Sequence, residues 1–587
     1  MIKQLSWKVG GQQGEGIEST GEIFATALNH LGYYLYGYRH FSSRIKGGHT
    51  NNKIRVSTSF VRAIQDDLDI LVAFDQETID VNVHELHDKG IVLADEKFKP
   101  VLPDGVNVTL YAVPFTDIAR ELGTTLMKNM VAIGASSAIL DLKVEVYRPV
   151  VEEIFGRKGA KVVENNMQAI EKGAAFIKEQ VEHDRTIMKL QPADGTRRLF
   201  MIGNDALSLG LLAGGCRFMA AYPITPASEI MEFMIKQLPD FGGTVIQTED
   251  EMAAATMAIG ANYAGVRTIT ASAGPGLSLM MESIGLAGMT ETPLVIVDTQ
   301  RGGPSTGLPT KQEQSDLMAM IYGTHGEIPK VVMAPSTVEE AFYDGVEALN
   351  IAEEYQCPVI VLTDLQLSLG KQTVEPLSFE RVDIRRGKLD LDASLPELDR
   401  GEYFKRYKLE EDGISPRVLP GTKNGIFHVT GVEHDETGKP SENATNRKKQ
   451  MDKRLRKLNT LLEHFPTPVY KNIKDENPDV LFIGFISTRG AIEEAMERLE
   501  EEGLKVNHAH IRLVHPFPTD EILPLVEKAK QVIVVEHNAT GQLASLIKMN
   551  VGHHKKIKSI LKYDGTPFLP NEIFKETIQG VLVNGNI

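Results

Sequence analysis

Three turns and one carboxylate stand out as the groups able to do chemistry. The stretch YPITPASE, residues 222–229, ends an apolar run with two prolines around Ile224-Thr225, so Tyr222 and the Thr225 hydroxyl sit on restricted backbone. The run EDEMAAATMAIGANYAG, residues 249–265, reads as a helix opened by Glu251 and followed by small and apolar residues that should pack closely. A carboxylate at the start of a buried helix needs a partner, because desolvation without one is costly or raises its pKa. Its plainer role is that of a cap or a helix-dipole acid. Two further turns, SAGPG (272–276) and DTQRGGPSTGLPT (298–310), each follow a short apolar run, and the second carries Arg301 and Thr310. A guanidinium offers a planar fork for a carboxylate, although a loop arginine taken singly is usually solvated.

Such turns act together only if strands bring them to one edge, and the sequence supplies those strands. GTVIQTE, TITASAGPG, TPLVIVDTQ, PKVVMAPS and PVIVLTDLQLS alternate with helix-length segments, the pattern of an open parallel sheet. Such sheets bind ligands beyond the carboxyl ends of their strands, so the turns are expected to line one crevice. The same alternation occurs twice more, in LSWKVGG, IRVSTSF, LDILVAF, GIVLAD and VNVTLYAVPF near the N-terminus and in DVLFIGFIS, LKVNHAHIR and QVIVVEH near the C-terminus. The expected architecture is α/β and multidomain. Boundaries fall at 1–190, 196–370, a charged connecting segment 371–475 that reads as extended and partly ordered, and 476–587.

The N-terminal turn VGGQQGEGIESTG places Gly10, Gly11, Gly14 and Gly16 between a strand and a helix, where backbone amides can approach a phosphate. As a dinucleotide fingerprint it is poor, because the order is GxxGxG and Glu15 adds a like charge beside any phosphate. Downstream, SSRIKGGHTNN offers Arg44 and Lys46, a phosphate clamp or a solvated loop.

Composition excludes several classes. The 587 residues, 42% hydrophobic and 24% charged with net charge −16, describe a soluble globular chain of several domains and argue against general nucleic-acid binding. Neither a long uninterrupted apolar run nor a signal-peptide pattern is present, so no membrane partner and a cytoplasmic location are expected. Only Cys216 and Cys357 occur, fewer than the four thiolates of an iron–sulfur cluster. His428 and His434 lack metal-ligand spacing, and Met280 and Met281 read as a packed helix; no metal site is expected on this chain.

The ordered set YPITP, EMAAATMAIGA headed by Glu251, SAGPG and RGGPSTGLPTKQEQSDL resembles the alpha subunit of the 2-oxoacid:ferredoxin oxidoreductases, which are thiamine diphosphate enzymes. The N-terminal domain, with its glycine turn and RIKGGH, resembles the family's gamma subunit fused ahead of alpha, and HPFPTDEI and VVEHNATGQLA are similar to its transketolase-C-like domain. The resemblance implies a gamma-type domain, a transketolase-like pyrimidine-binding domain and a transketolase-C-like domain in that order. It implies that Glu251 faces N1′ of the aminopyrimidine and promotes loss of the C2 proton, with Thr225 beside the cofactor. It implies that Arg301 binds the substrate carboxylate, with Tyr222, Thr225 and Thr310 nearby, and that Gly11, Gly14, Arg44 and Lys46 lie toward coenzyme A. No GDG with a distant asparagine is present, so a beta subunit is expected to supply the Mg2+ and diphosphate site and a [4Fe–4S] cluster. Ferredoxin would accept the electrons from an (alpha beta)2 heterotetramer. The fused arrangement suggests 2-oxoglutarate; pyruvate and branched-chain 2-oxoacids stay open, as do a non-catalytic assembly subunit and a decarboxylase without electron transfer.

Overall fold

The run QLSWKVGGQ, apolar and rich in residues that suit a pleated surface, forms the strand Gln4–Gln12 inside an eight-stranded sheet. It pairs in parallel with Leu68–Ala73 and antiparallel with His49–Ser57. The parallel run continues through Leu86–Asp95 to Thr109–Val113. Trp7 stacks on Phe24 of helix Ile17–His30 at 4.3 Å and donates its indole N–H to Ser136 Oγ at 3.0 Å. Helices Lys128–Ile139 and Ala160–Gln180 cross closely because Gly134 and Gly173 face the opposite backbone, where a Cβ would collide with Ile170 O or Val131 O.

The computed structural model describes residues 1–43, 47–181, 188–391 and 395–583. They divide into two compact units. One comprises Met1–Met201 with Leu369–Pro376 and Leu569–Glu572; the other comprises Ile202–Ser368, Leu377–Phe568 and the residues from Ile573 onward. The expected α/β multidomain class with parallel sheets is what the structure shows.

The second unit holds two sheets. The larger has the strand order Leu513–His515, Val331–Met333, Pro358–Asp364, Leu294–Gln300, Thr268–Ser272, Phe218–Ala221, Thr244–Gln247. All its pairings are parallel except that of Leu513–His515, which adds antiparallel to Val331–Met333. That edge strand joins the C-terminal region to the larger sheet in one compact unit, where the sequence suggested separate bodies at 196–370 and 476–587. The smaller sheet runs Val469–Asn472, Val506–Ile511, Val480–Phe485, Gln531–Glu536, Ile557–Leu561.

The charged segment 371–475 differs from an extended connector. Lys371–Val374 is a strand of the N-terminal unit, and Ala444–His464 is a helix of the second. Its charges are largely partnered and partly buried: Arg417 and Arg386 reach Glu353 beside Arg267, and Lys453 and Lys457 reach Glu291. Within this segment His434 is buried and bonded through Nδ1 to Val432 O at 2.9 Å.

Candidate active site

Glu251 opens helix Glu251–Tyr263, yet Asp250 does the capping, accepting the Ala253 N–H at 2.7 Å. Glu251 is therefore not needed as a cap. Its side chain is buried, 7% exposed, and among the described residues it has no hydrogen bond or ion pair. Its Oε1 lies against Gly276, where a Cβ would stand 2.8 Å from that oxygen and would collide with Ser272 Oγ. Ser272 Oγ is buried and likewise without a hydrogen-bond partner. Gly276 of SAGPG thus leaves room for the Glu251 carboxylate. The close packing expected all round this helix holds on one side only, since Met252 (53% exposed) and Met257 (44%) face outward.

Arg301 follows the strand Leu294–Gln300 and is 8% exposed. Its Nη1 donates to Thr225 O at 2.7 Å and its Nη2 to Thr306 O at 3.5 Å; Nε has no partner. The guanidinium is thereby fixed across two of the predicted turns with donors to spare. Thr225 takes part through its carbonyl. Its peptide bond to Pro226 is cis, and Pro226 O accepts from Asn204 Nδ2 at 2.9 Å. The arginine loop is pinched at its neck by Leu308 N–H to Gly302 O, 2.8 Å, and Gly302 N–H to Lys311 O, 3.1 Å. Thr310 sits buried at that neck, and Tyr222 is 38% exposed at the start of its turn. Neither has a recorded side-chain hydrogen bond among the described residues, so contacts connect Thr225 with Arg301 directly and Tyr222 and Thr310 only through their turns.

Two acids that sequence reading passed over belong to the same edge. Asp298, paired in register with Ser272, is fully buried with both carboxyl oxygens unbonded. Asp316 lies against Gly274, where a Cβ would be 2.6 Å from its Oδ2, an oxygen also without a partner. Burial, with Glu313 adding to it and Arg301 opposing it, pushes the Asp316 carboxyl from 3.8 up to about 6. Burial and then the Asp316 charge push Asp298 well above 3.8. The signal available in the sequence was an acid near the end of the otherwise apolar strand LVIVDTQ. Because the folded chain keeps these protons to higher pH than the unfolded chain, the Asp316 contribution to stability is full below 3.8 and is lost as pH rises through about 6, and that of Asp298 falls in the same direction. Asp298→Asn is accordingly expected to melt higher than the parent at about pH 8, with the gap closing as pH falls toward 3.8, in thermal scans across that range.

Residues 209–453 match the family described as pyruvate flavodoxin/ferredoxin oxidoreductase, thiamine diP-bdg; residues 6–176 match pyruvate ferredoxin/flavodoxin oxidoreductase; residues 478–573 match pyruvate:ferredoxin oxidoreductase core domain II. A 2-oxoacid:ferredoxin oxidoreductase subunit alpha from Sulfolobus is 35% identical over 100% of this chain and 99% of its own length. The chain belongs to this family of alpha subunits. A 2-oxoglutarate synthase subunit KorA from Methanothermobacter marburgensis is 36% identical over 65% of this chain and 98% of its own. Among solved structures, the 2-oxoglutarate:ferredoxin oxidoreductase from Magnetococcus marinus is 36% identical, with a TM-score of 0.92 over 99% of this chain and 100% of that one.

This is, then, the thiamine diphosphate-binding alpha subunit of a 2-oxoacid:ferredoxin oxidoreductase, and its residues fit that cofactor. A buried carboxylate without a protein partner, lying against Gly276 close to an unbonded serine hydroxyl, suits the polar edge of an aminopyrimidine. In the N-terminal unit, Gly14 and Gly16 have φ of 98° and 79° and open helix Ile17–His30. Glu15 Oε1 is paired with Lys128 at 2.9 Å, which offsets the like charge that the sequence placed beside the turn. A Cβ at Gly11 would stand 2.9 Å from Ile17 Cδ1, whereas Gly14 faces open space. Arg44 and Lys46 lie outside the described residues. Among the described residues no helix is long and apolar enough to cross a membrane.

Proposed function

We propose that this alpha subunit serves a 2-oxoglutarate:ferredoxin oxidoreductase. In this reading 2-oxoglutarate and coenzyme A give succinyl-CoA, carbon dioxide, a proton and two electrons, which ferredoxin accepts. The arrangement that carries the reading is the buried, unpartnered Glu251 carboxylate and, at the same edge of the parallel sheet, the Arg301 guanidinium that Thr225 holds. The choice of 2-oxoglutarate is supported by the likeness to the Magnetococcus marinus enzyme, whose structure was obtained with 2-oxoglutarate, coenzyme A and succinyl-CoA, and to the KorA subunits.

Thiamine diphosphate, when bound, supplies the nucleophilic carbon and the electron sink that decarboxylation needs. Glu251 would hydrogen-bond N1′ of the aminopyrimidine and hold or release a proton there, with Thr225 toward the same ring. Arg301, whose spare donors remain after its bonds to Thr225 and Thr306, takes the substrate carboxylate. The Thr225 and Thr310 hydroxyls and the Tyr222 ring line the wall around the substrate. In the gamma-type unit, Gly11 and Gly14 with Arg44 and Lys46 are assigned to the coenzyme A side.

A beta subunit is assigned the Mg2+ and diphosphate site and the [4Fe–4S] cluster. Two cysteines, both buried with thiols pushed up to about 12 by burial, suit no cluster on this chain. The same partner would cover the outward apolar side chains beside Glu251: Met252, Met257 and, on helix Gly274–Met289, Leu279 at 53% exposed. An (alpha beta)2 complex in the cytoplasm completes the reading.

The test is co-expression with the beta subunit and measurement of coenzyme-A-dependent viologen reduction over a panel of 2-oxoacids. 2-Oxoglutarate should give the highest kcat/KM; a higher value for pyruvate or a branched-chain 2-oxoacid overturns the substrate assignment. In the same assay Arg301→Lys is expected to raise the KM for the 2-oxoacid about 10–100-fold, the effect of losing a charge-assisted fork. An unchanged KM would remove Arg301 from carboxylate binding.

A further inference from the structure

The motif VVEHNATGQLA, residues 534–544, has no part in the chemistry assigned above, yet it is bonded to the segment that follows the arginine loop. That segment, KQEQSD at 311–316, runs as a strap between the ends of the two sheets of the second unit. Gln314 is fully buried and saturated there. Its backbone N–H donates to His537 O at 2.6 Å, and its side-chain oxygen accepts the His537 N–H at 3.0 Å. Its Nε2 donates to Asp364 Oδ2 at 2.7 Å and to Phe485 O at 3.3 Å. Asn538 donates to Gln314 O at 3.2 Å, and Gln542 Nε2 donates to Ser315 O at 2.7 Å. Gln542 Oε1 accepts the Met318 N–H at 3.0 Å, so a single glutamine brackets Asp316 on both sides.

The motif is itself rigid. Glu536 accepts the Leu543 and Ala544 amides at 2.7 and 3.1 Å and the Asn538 side chain at 2.7 Å. Asn538 Oδ1 in turn accepts the Gly541 and Gln542 amides at 2.8 and 3.2 Å. At the other end, the Asp316 N–H donates to Gln300 Oε1 at 3.0 Å, immediately before Arg301, and Lys311 O closes the loop neck on Gly302.

We infer that Gln314, Asn538 and Gln542 are positioning residues, through which the C-terminal region holds the strap and so fixes Thr310, Asp316 and the Arg301 loop toward the substrate carboxylate. The inference rests on Arg301 binding that carboxylate. It gives the C-terminal region a task in substrate binding through its bonds to the strap.

Gln542→Ala in the complete alpha–beta complex tests it, because Gln542 is only half-buried and its loss leaves Gln314 in place. Loss of its two bonds to the strap should raise the KM for the 2-oxoacid about tenfold while kcat and the KM for coenzyme A change less than about twofold. Amide hydrogen exchange of residues 301–318, followed by mass spectrometry, should speed up by about tenfold with the rest of the chain unchanged. Gln542→Glu, which keeps the acceptor for Met318 and loses the donor to Ser315, should fall between the two. Faster exchange with an unchanged KM, or an unchanged exchange rate, overturns the inference. If Arg301→Lys raises the KM but Gln542→Ala does not, the fault lies in this inference; if neither does, it lies in the role given to Arg301.

Discussion

Replacing Glu251 with glutamine is expected to lower kcat of the reconstituted complex about 10²–10⁴-fold, the range for loss of a positioned acid–base group. kcat and kcat/KM should fall together, because the lost interaction is one made on the way to reaction and not in substrate binding. Folding is expected to survive. Asp250 keeps the helix capped, glutamine keeps the shape of the side chain against Gly276, and no ion pair to Glu251 is broken among the described residues. Equal melting temperatures and equal thiamine diphosphate content in parent and variant would confirm that only chemistry was changed. A variant with nearly full turnover would leave Glu251 as a packing residue and remove the basis of the functional reading.

The largest stability effect is expected at a residue remote from that chemistry in sequence and role. Glu291 is fully buried between Lys453 Nζ at 2.5 Å and Lys457 Nζ at 2.8 Å, both ammonium groups buried as well. Its backbone has φ of 50°, and its carbonyl accepts Arg406 Nη2 at 2.7 Å. Burial alone would raise this carboxyl, but Lys453, Lys457 and Arg406 hold it below the ordinary carboxylate range; burial in turn pushes Lys453 down to about 8. Glu291→Gln leaves two ammonium groups without a counter-charge and should cost about 3–5 kcal/mol in denaturant unfolding. The triple change of Glu291, Lys453 and Lys457 to methionine should recover most of that loss, because it removes the buried charges as a set. A loss below about 1 kcal/mol for Glu291→Gln would mean the cluster is open to water.

That cluster shows where sequence reading stops. Lys453 and Lys457 stand in KKQMDKRLRKL, a run whose density of charge reads as solvated, and their partner lies more than a hundred and sixty positions earlier. No local pattern distinguishes such lysines from surface ones, so the segment 371–475 looked like a loose connector. The turns were legible for the opposite reason. YPITP, SAGPG and RGGPSTG carry proline and glycine at the ends of apolar strands, and a parallel sheet gathers strand ends at one edge without long-range information. Asp298 was hidden inside a strand that reads as core. The role of Glu251 was half legible: its place at a helix start was visible, but either of the adjacent acids could cap, and only the fold gives the capping bond to Asp250. The strap at 311–316 depends on glutamines and an asparagine far apart in the chain, and amide side chains carry no periodic signal.

The central claim is that this chain supplies the group that controls the proton at C2 of thiamine diphosphate. It is tested most directly by the rate of hydrogen–deuterium exchange at that carbon, measured by quenched-flow NMR on the alpha–beta complex without 2-oxoacid. Glu251→Gln should slow the exchange about 10²–10⁴-fold while Arg301→Lys leaves it at the parent rate. Exchange at the parent rate in the Glu251→Gln complex would contradict the account.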